Sequence, residues 1–289
     1  MTREELKAKL IEIRHQIHMY PETAMEEYKT SDYIAGIMEE IGCTVTRGLG
    51  GTGVVATLHA GTGEKMIGLR ADIDALNITE LNDIPYKSTI PGKMHGCGHD
   101  SHAASLIGAA MLLKENANFN GTVVFIFQPG EEPGVGAKAM IADGFFDRFP
   151  ISEIYAQHNK PLIPFGHVEI APGIAASSED DFWITVKGLG GHASAPQNTK
   201  DPLVTAAEIV LALQTVISRN LDPLTAGTIS CCNITTDGVM NAIPSNVTIL
   251  GDCRTYDPKV QEVIERRMYT IVEHICKMNG CDFEFRYDH

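Results

Sequence analysis

Residues 94 to 104 read MHGCGHDSHAA: three histidines, a cysteine and an aspartate set around two glycines, just ahead of the helix-like apolar run SLIGAAMLL. A polar turn with a capping residue is one reading of this stretch, and a metal site is the other. Cys97 and His99 supply the thiolate and imidazole that transition metals favour. Gly96 and Gly98 let the backbone turn sharply around them.

Further reactive groups sit at the ends of short apolar runs. Asp72 and Asp74 close MIGLRADID, Glu131 and Glu132 follow VVFIFQPG, and His158 ends EIYAQH. Cys97, His99, Glu132 and His158 together offer sulfur, nitrogen and oxygen donors suited to zinc, manganese or a similar divalent ion. Neighbouring extended side chains point apart, so one of the two adjacent carboxylates can hold metal while the other faces a bound water. His102 comes three residues after His99 and shares its helix face; it reads as a cap or a group behind the ligands. Asp74 reads as a carboxylate that orients an imidazole, and Asp72 as its solvated neighbour. A redox role for Cys97 is disfavoured, because no resolving cysteine lies nearby. His15, His18, His59, His167 and His274 receive no role.

These groups need a scaffold that gathers strand ends. Residues 3 to 19 and 26 to 41 carry helical apolar spacing, broken at Pro21. GVVATLHA, KMIGLRAD, GTVVFIFQP and EIYAQH read as strands, with helices near 101 to 116 and 136 to 146. That alternation predicts an α/β unit with a mostly parallel sheet covered on both faces, and a ligand crevice at the carboxyl ends of its strands. From residue 181 the order becomes strand, helix, strand, strand, helix, strand. This βαββαβ order predicts a smaller two-layer domain with an antiparallel sheet. The expected division is a metal-binding domain over 1–175 and a second domain over 176–289.

The chain has 289 residues, 44% of them hydrophobic, enough for two such domains. Its formal net charge of −14 disfavours nucleic acid and acidic membrane surfaces as partners. The N-terminal MTREELKAKL lacks a signal-peptide core, and no uninterrupted apolar run reaches membrane-spanning length. Seven cysteines are scattered without a disulfide framework, so a cytoplasmic location is expected.

RHQIHMYPE, GLRADIDAL, MHGCGHDSHAA, IFQPGEEPGVGAKAMI, GLGGHASAP and NAIPSNV occur in this order from residue 14 to residue 247. In these motifs the chain resembles the metal amidohydrolases that include hippurate hydrolase, indole-acetyl-amino-acid hydrolase and N-acetyldiaminopimelate deacetylase, with aminoacylase and carboxypeptidase G as more distant relatives. The resemblance implies hydrolysis of the amide bond of small N-acyl amino acids or peptides. It implies two divalent metal ions (Zn, Mn, Co or Ni), Cys97 bridging them with His99, Glu132 and His158 as further ligands, and Glu131 as general base. It also implies that the smaller domain is a lid that pairs two copies into a homodimer. In that lid His192 would stabilise the oxyanion, and Asn241 and Arg254 would grip the substrate carboxylate.

Two departures from the family's pattern stand out. Asn77 occupies a position where many relatives have proline, which alters a turn. Family members also continue past the lid and supply a last histidine ligand, whereas this sequence stops at His289. A truncated, inactive metal-binding or dimerising module is therefore the competing expectation.

Overall fold

The computed structural model describes residues 1–289. Two compact units emerge, Met1–Pro164 and Phe165–His289. Within the second unit Ser178 is tied to Thr255 by a backbone bond of 2.7 Å and a side-chain bond of 3.2 Å.

In the first unit α1 (Arg3–Met19) opens with a capping box: Thr2 Oγ1 accepts the Glu5 N–H, and the Glu5 carboxylate accepts the Thr2 N–H. Helix α2 (Tyr28–Ile41) ends on Gly42 in the left-handed conformation. Strands β1 (Thr44–Leu49), β2 (Gly53–Ala60) and β3 (Met66–Asp72) follow, then α3 (His99–Glu115), β4 (Gly121–Gln128), α4 (Gly136–Ala142), α5 (Phe145–Arg148) and β5 (Glu153–Ala156). The sheet order is β1-β2-β4-β3-β5. Only the β4/β3 and β3/β5 pairs are parallel; β1/β2 and β2/β4 are antiparallel. The sheet is thus mixed rather than mostly parallel. Its physical reason is the short β1–β2 and β2–β3 connections, each of which returns the chain in the opposite direction, so that β2 runs against β1 and against the parallel β3 and β4.

Both faces of this sheet are covered. On β4, Val123, Phe125 and Phe127 join the helices α1, α2 and α3 through Ile13, Ile17, Ile34 and Ile107. The alternate residues Val124 and Ile126 pack with Met140 and Phe145 on the other face. Because β3, β4 and β5 share one direction, their carboxyl ends emerge at the same edge, with Asp72 beside Gln128.

The second unit comprises β6 (Asp180–Lys187), β7 (Gly191–His192), α6 (Pro202–Asn220), β8 (Gly227–Thr236), β9 (Ala242–Ile243), β10 (Asn246–Thr255), α7 (Pro258–Met278) and β11 (Asp282–Asp288). Its main sheet runs β11-β6-β10-β8, antiparallel throughout, with β7 and β9 forming a separate two-stranded ribbon. Asp201 and Asp257 cap the two helices, each followed by proline at the first turn. Phe182, Ile184 and Val186 on β6 meet Ile209 and Leu213 of α6 and Met268 and Val272 of α7. Helix α6 has the length and composition of a membrane span, yet it carries Glu208 and Arg219 and buries Ala206, Ile209, Leu213 and Val216 in this core.

Candidate metal centre

His99 is the first residue of α3, presented by Gly98 in the left-handed conformation (φ 94°). A side chain at Gly98 would place its Cβ 2.3 Å from Asn159 Oδ1, so glycine is required for this approach. The fully buried His99 ring donates from Nδ1 to the Asp74 carbonyl (2.9 Å) and the Asp74 carboxylate (3.1 Å). Those acceptors fix the tautomer and leave the Nε2 lone pair free. Nε2 is buried without a partner, as is Glu132 Oε1, 3.8 Å away. Glu131 Oε2 also lies 3.8 Å from it.

His158 follows β5 and donates from Nδ1 to the Asn159 carbonyl at 2.6 Å. Its Nε2 lies 3.4 Å from Cys97 Sγ. Ligand-capable atoms of Cys97, His99 and His158 lie within 4.8 Å of one another, and so do those of His99, Glu131 and Glu132. The structure therefore brings together the four residues expected to hold metal and the carboxylate beside them. The donor set fits a cation: a thiol, two imidazole lone pairs and carboxylates converge, and two buried donor atoms have no protein partner. Burial, followed by the negative charges of Glu132, Glu131 and Asp72, pushes the Cys97 thiol up to about 12. Burial also raises Glu132, reinforced by Asp74 and Glu131 against the pull of His99.

Asp72 and His102 stand behind this cluster. Asp72 is buried, not solvated, and its carboxylate receives His102 Nδ1 at 2.6 Å and Arg70 at 2.7 Å. Although burial opposes ionisation, His102, His99 and Arg70 hold Asp72 down at about 2. His102 Nε2 accepts the Asn159 N–H at 3.0 Å. With both nitrogens engaged, His102 has no lone pair left for an ion, although Asp72, His99 and His102 themselves lie within ligand-sharing distance. Asp74 does more than orient an imidazole. Its second oxygen accepts the Glu132 N–H at 3.0 Å, so one carboxylate positions a ligand from α3 and the loop after β4.

Sequence reasoning missed a second buried network. Asp100, one residue after His99, receives Arg14 and His18 of α1, each at 2.7 Å. The other ring nitrogen of His18 lies 3.3 Å from Glu80, and Arg14 stacks over Tyr86. The available signal was the RHQIH spacing, which puts Arg14 and His18 on one helix face.

In the second unit His192 and Asn241 are neighbours on the β7–β9 ribbon, where the Ala193 N–H donates to the Asn241 carbonyl at 3.0 Å. His192 Nδ1 accepts the Ser194 N–H at 3.2 Å, so Nε2 carries the hydrogen and is a donor. Arg254 is not brought to this ribbon. It lies at the far end of β10, about 25 Å along the strand from Asn246, and its guanidinium is held by Glu179 (3.0 Å) and Asp252 (2.9 Å).

An α/β unit whose parallel strand ends gather these donors around a free carboxylate is built as a metal-dependent hydrolase. Residues 68–276 match the model of peptidase family M20/M25/M40, and the chain belongs to that family. It is 39% identical over 280 residues to the hippurate hydrolase of Campylobacter jejuni, covering 97% of this chain and 73% of that one. It is 40% identical to an N-acetyl-L-cysteine deacetylase of Bacillus subtilis, covering 93% and 65%. Among solved structures, the YXEP protein of Bacillus subtilis, a dinuclear metal-binding peptidase of the M20 family, superposes with a TM-score of 0.81 at 32% identity. That match covers 99% of this chain and 74% of the other.

Proposed function

We propose that the protein hydrolyses the amide bond of small N-acyl amino acids, releasing a carboxylic acid and a free amino acid. The observation that carries this reading is the pair of buried, unpartnered donor atoms, His99 Nε2 and Glu132 Oε1, facing each other beside Glu131. Cys97, His99, Glu132 and His158 are the residues that would hold two divalent cations, drawn from zinc, manganese, cobalt and nickel. Bound there, the cations would supply Lewis acidity, making water a better acid and the acyl carbonyl a better electrophile.

The remaining work falls to the protein's own groups. Glu131 accepts a proton from the attacking water and delivers it to the leaving amide nitrogen, so the C–N bond breaks as the amine becomes neutral. His192, with Nε2–H free to donate, is the proposed oxyanion donor, and Asn241 beside it the proposed grip on the substrate carboxylate. Arg254 takes no part in this reading. An open cleft of about 610 Å³, lined by Thr23, Leu76, Asn77, Lys93 and Glu132, gives a small acyl group room beside Glu132.

We further propose a cytoplasmic homodimer formed through the second unit. All seven cysteines are free, and β8 is a ten-residue edge strand with exposed side chains.

The test is amine release from a panel of N-acetyl, N-benzoyl and N-indoleacetyl amino acids, with the protein loaded in turn with each of the four metals. Turnover is expected with at least one metal and lost on chelation. Stoichiometric metal binding with no amine released from any member of the panel would overturn the proposal.

A further inference from the structure

Glu27 is a fully buried glutamate outside the metal cluster, and its carboxylate reaches the backbone that carries Glu131 and Glu132. One oxygen, Oε1, accepts the Gly130 N–H at 2.8 Å and the Met25 N–H at 3.0 Å. The other accepts the hydroxyl of buried Thr52. Gly130 is itself the pivot of the loop: its carbonyl accepts the N–H groups of Val135 (3.2 Å) and Gly136 (2.9 Å). It holds φ at 53°, and a Cβ there would lie 2.9 Å from the Met25 sulfur. Met25 is also left-handed, with φ 64°, a conformation that an unbranched but bulky residue keeps only when its surroundings enforce it.

We propose that Glu27 is a positioning residue for the Glu131–Glu132 pair. Glu131 is bracketed by two backbone N–H groups, each held by a buried carboxylate: Gly130 by Glu27 and Glu132 by Asp74. Fixing both flanks sets where the Glu131 and Glu132 side chains start, and hence the separation between base and ligand. Glu27 does this from the α2 side of the unit, where the sequence gives no hint of chemistry. Misplacing a reacting group by about 1 Å costs on the order of a hundredfold in rate, and disturbing a group behind the ligands costs about ten- to a hundredfold in metal affinity.

The inference rests on the assignment of Glu131 and Glu132 to base and ligand, and the experiment separates the two. Glu27→Asp keeps the charge but withdraws the carboxylate by one methylene, about 1.5 Å. Glu27→Gln keeps the reach and the Oε1 acceptor but removes the charge. Each is compared with wild type for kcat and KM when saturated with metal, for metal affinity by competition with a chelating dye, and for thermal midpoint. The expected result for Glu27→Asp is a fall of about tenfold or more in kcat with KM within about twofold, and about tenfold weaker metal binding. Glu27→Gln should recover most of both. If Glu27→Asp lowers the thermal midpoint but retains wild-type kcat and metal affinity per folded molecule, the residue is only structural and the proposal fails. A Glu27→Gln variant as impaired as Glu27→Asp would also overturn it, since charge rather than reach would then be the cause. The metal arm decides the matter even if no substrate is turned over.

Discussion

His18 Nδ1 lies 2.7 Å from Asp100 Oδ2, although the two residues are 82 positions apart in sequence. The contact fastens α1 to the first turn of α3, next to His99.

This contact predicts a pH dependence for the metal-free protein. The hydrogen bond that the His18 ring donates to Asp100 is the main cause of a raised His18 pKa, starting from 6.5. Burial works against Asp100, yet His18, His95 and Arg14 hold it below 3.8. A raised histidine contributes stability that is fully present below its unfolded pKa and is lost as pH rises through the folded one; a lowered aspartate contributes stability present above its unfolded pKa and lost as pH falls through the folded one. The pair therefore contributes most between 3.8 and 6.5. His18→Ala should destabilise by about 2–3 kcal/mol near pH 6, with a smaller difference from wild type near pH 9. Urea denaturation at the two pH values measures it; an unchanged difference would show that the charge of His18 contributes nothing.

Asp74 is the residue whose loss should cost the most metal affinity without removing a ligand. It accepts the His99 ring N–H and the Glu132 backbone N–H on separate oxygens. Asp74→Ala should weaken metal binding by about ten- to a hundredfold. Dye competition checks this, and wild-type affinity would mean that the Asp74 carbonyl and the loop suffice.

The second unit offers a control. Leu213 is fully buried between α6 and the β6–β10 sheet. Leu213→Ala should cost about 2–5 kcal/mol of stability while metal affinity at the Cys97 cluster stays at the wild-type value. Calorimetry and dye competition on the same preparation test both halves of that statement.

The cluster was legible because its residue types are rare together: Cys97 and His99 beside two glycines point to a candidate metal site before any fold is known. The βαββαβ order was legible because strands such as DFWITVKG alternate cleanly and helices such as 258–278 carry an i, i+4 apolar stripe. Strand β1, TVTRGL, has too little apolar pattern to stand out, so its hairpin and the mixed sheet were not foreseen. The two-residue strands β7 and β9 are shorter than any period can register. Glu27 was invisible for a different reason. In YPETAMEEYKT it looks like any solvated glutamate, and only the tertiary approach of Gly130 gives it a partner.

The adjacent carboxylates make the sharpest test of the chemistry. Glu131 is the more exposed of the two, its side chain 38% accessible against 25% for Glu132, and the Glu132 Oε1 atom is buried and unpartnered. That asymmetry suits Glu131 to a proton carrier in contact with water and Glu132 to a ligand. Glu131→Gln should lower kcat by about a hundredfold or more, the usual contribution of a general base, with metal content per subunit near wild type. Glu132→Gln should lower metal content as well, because a neutral amide is a poorer ligand for a divalent ion. Metal analysis after gel filtration, paired with amine release, distinguishes the two. If the variants exchange these behaviours, with Glu131→Gln losing metal and Glu132→Gln keeping it, the roles are reversed and the loop presents its carboxylates the other way round.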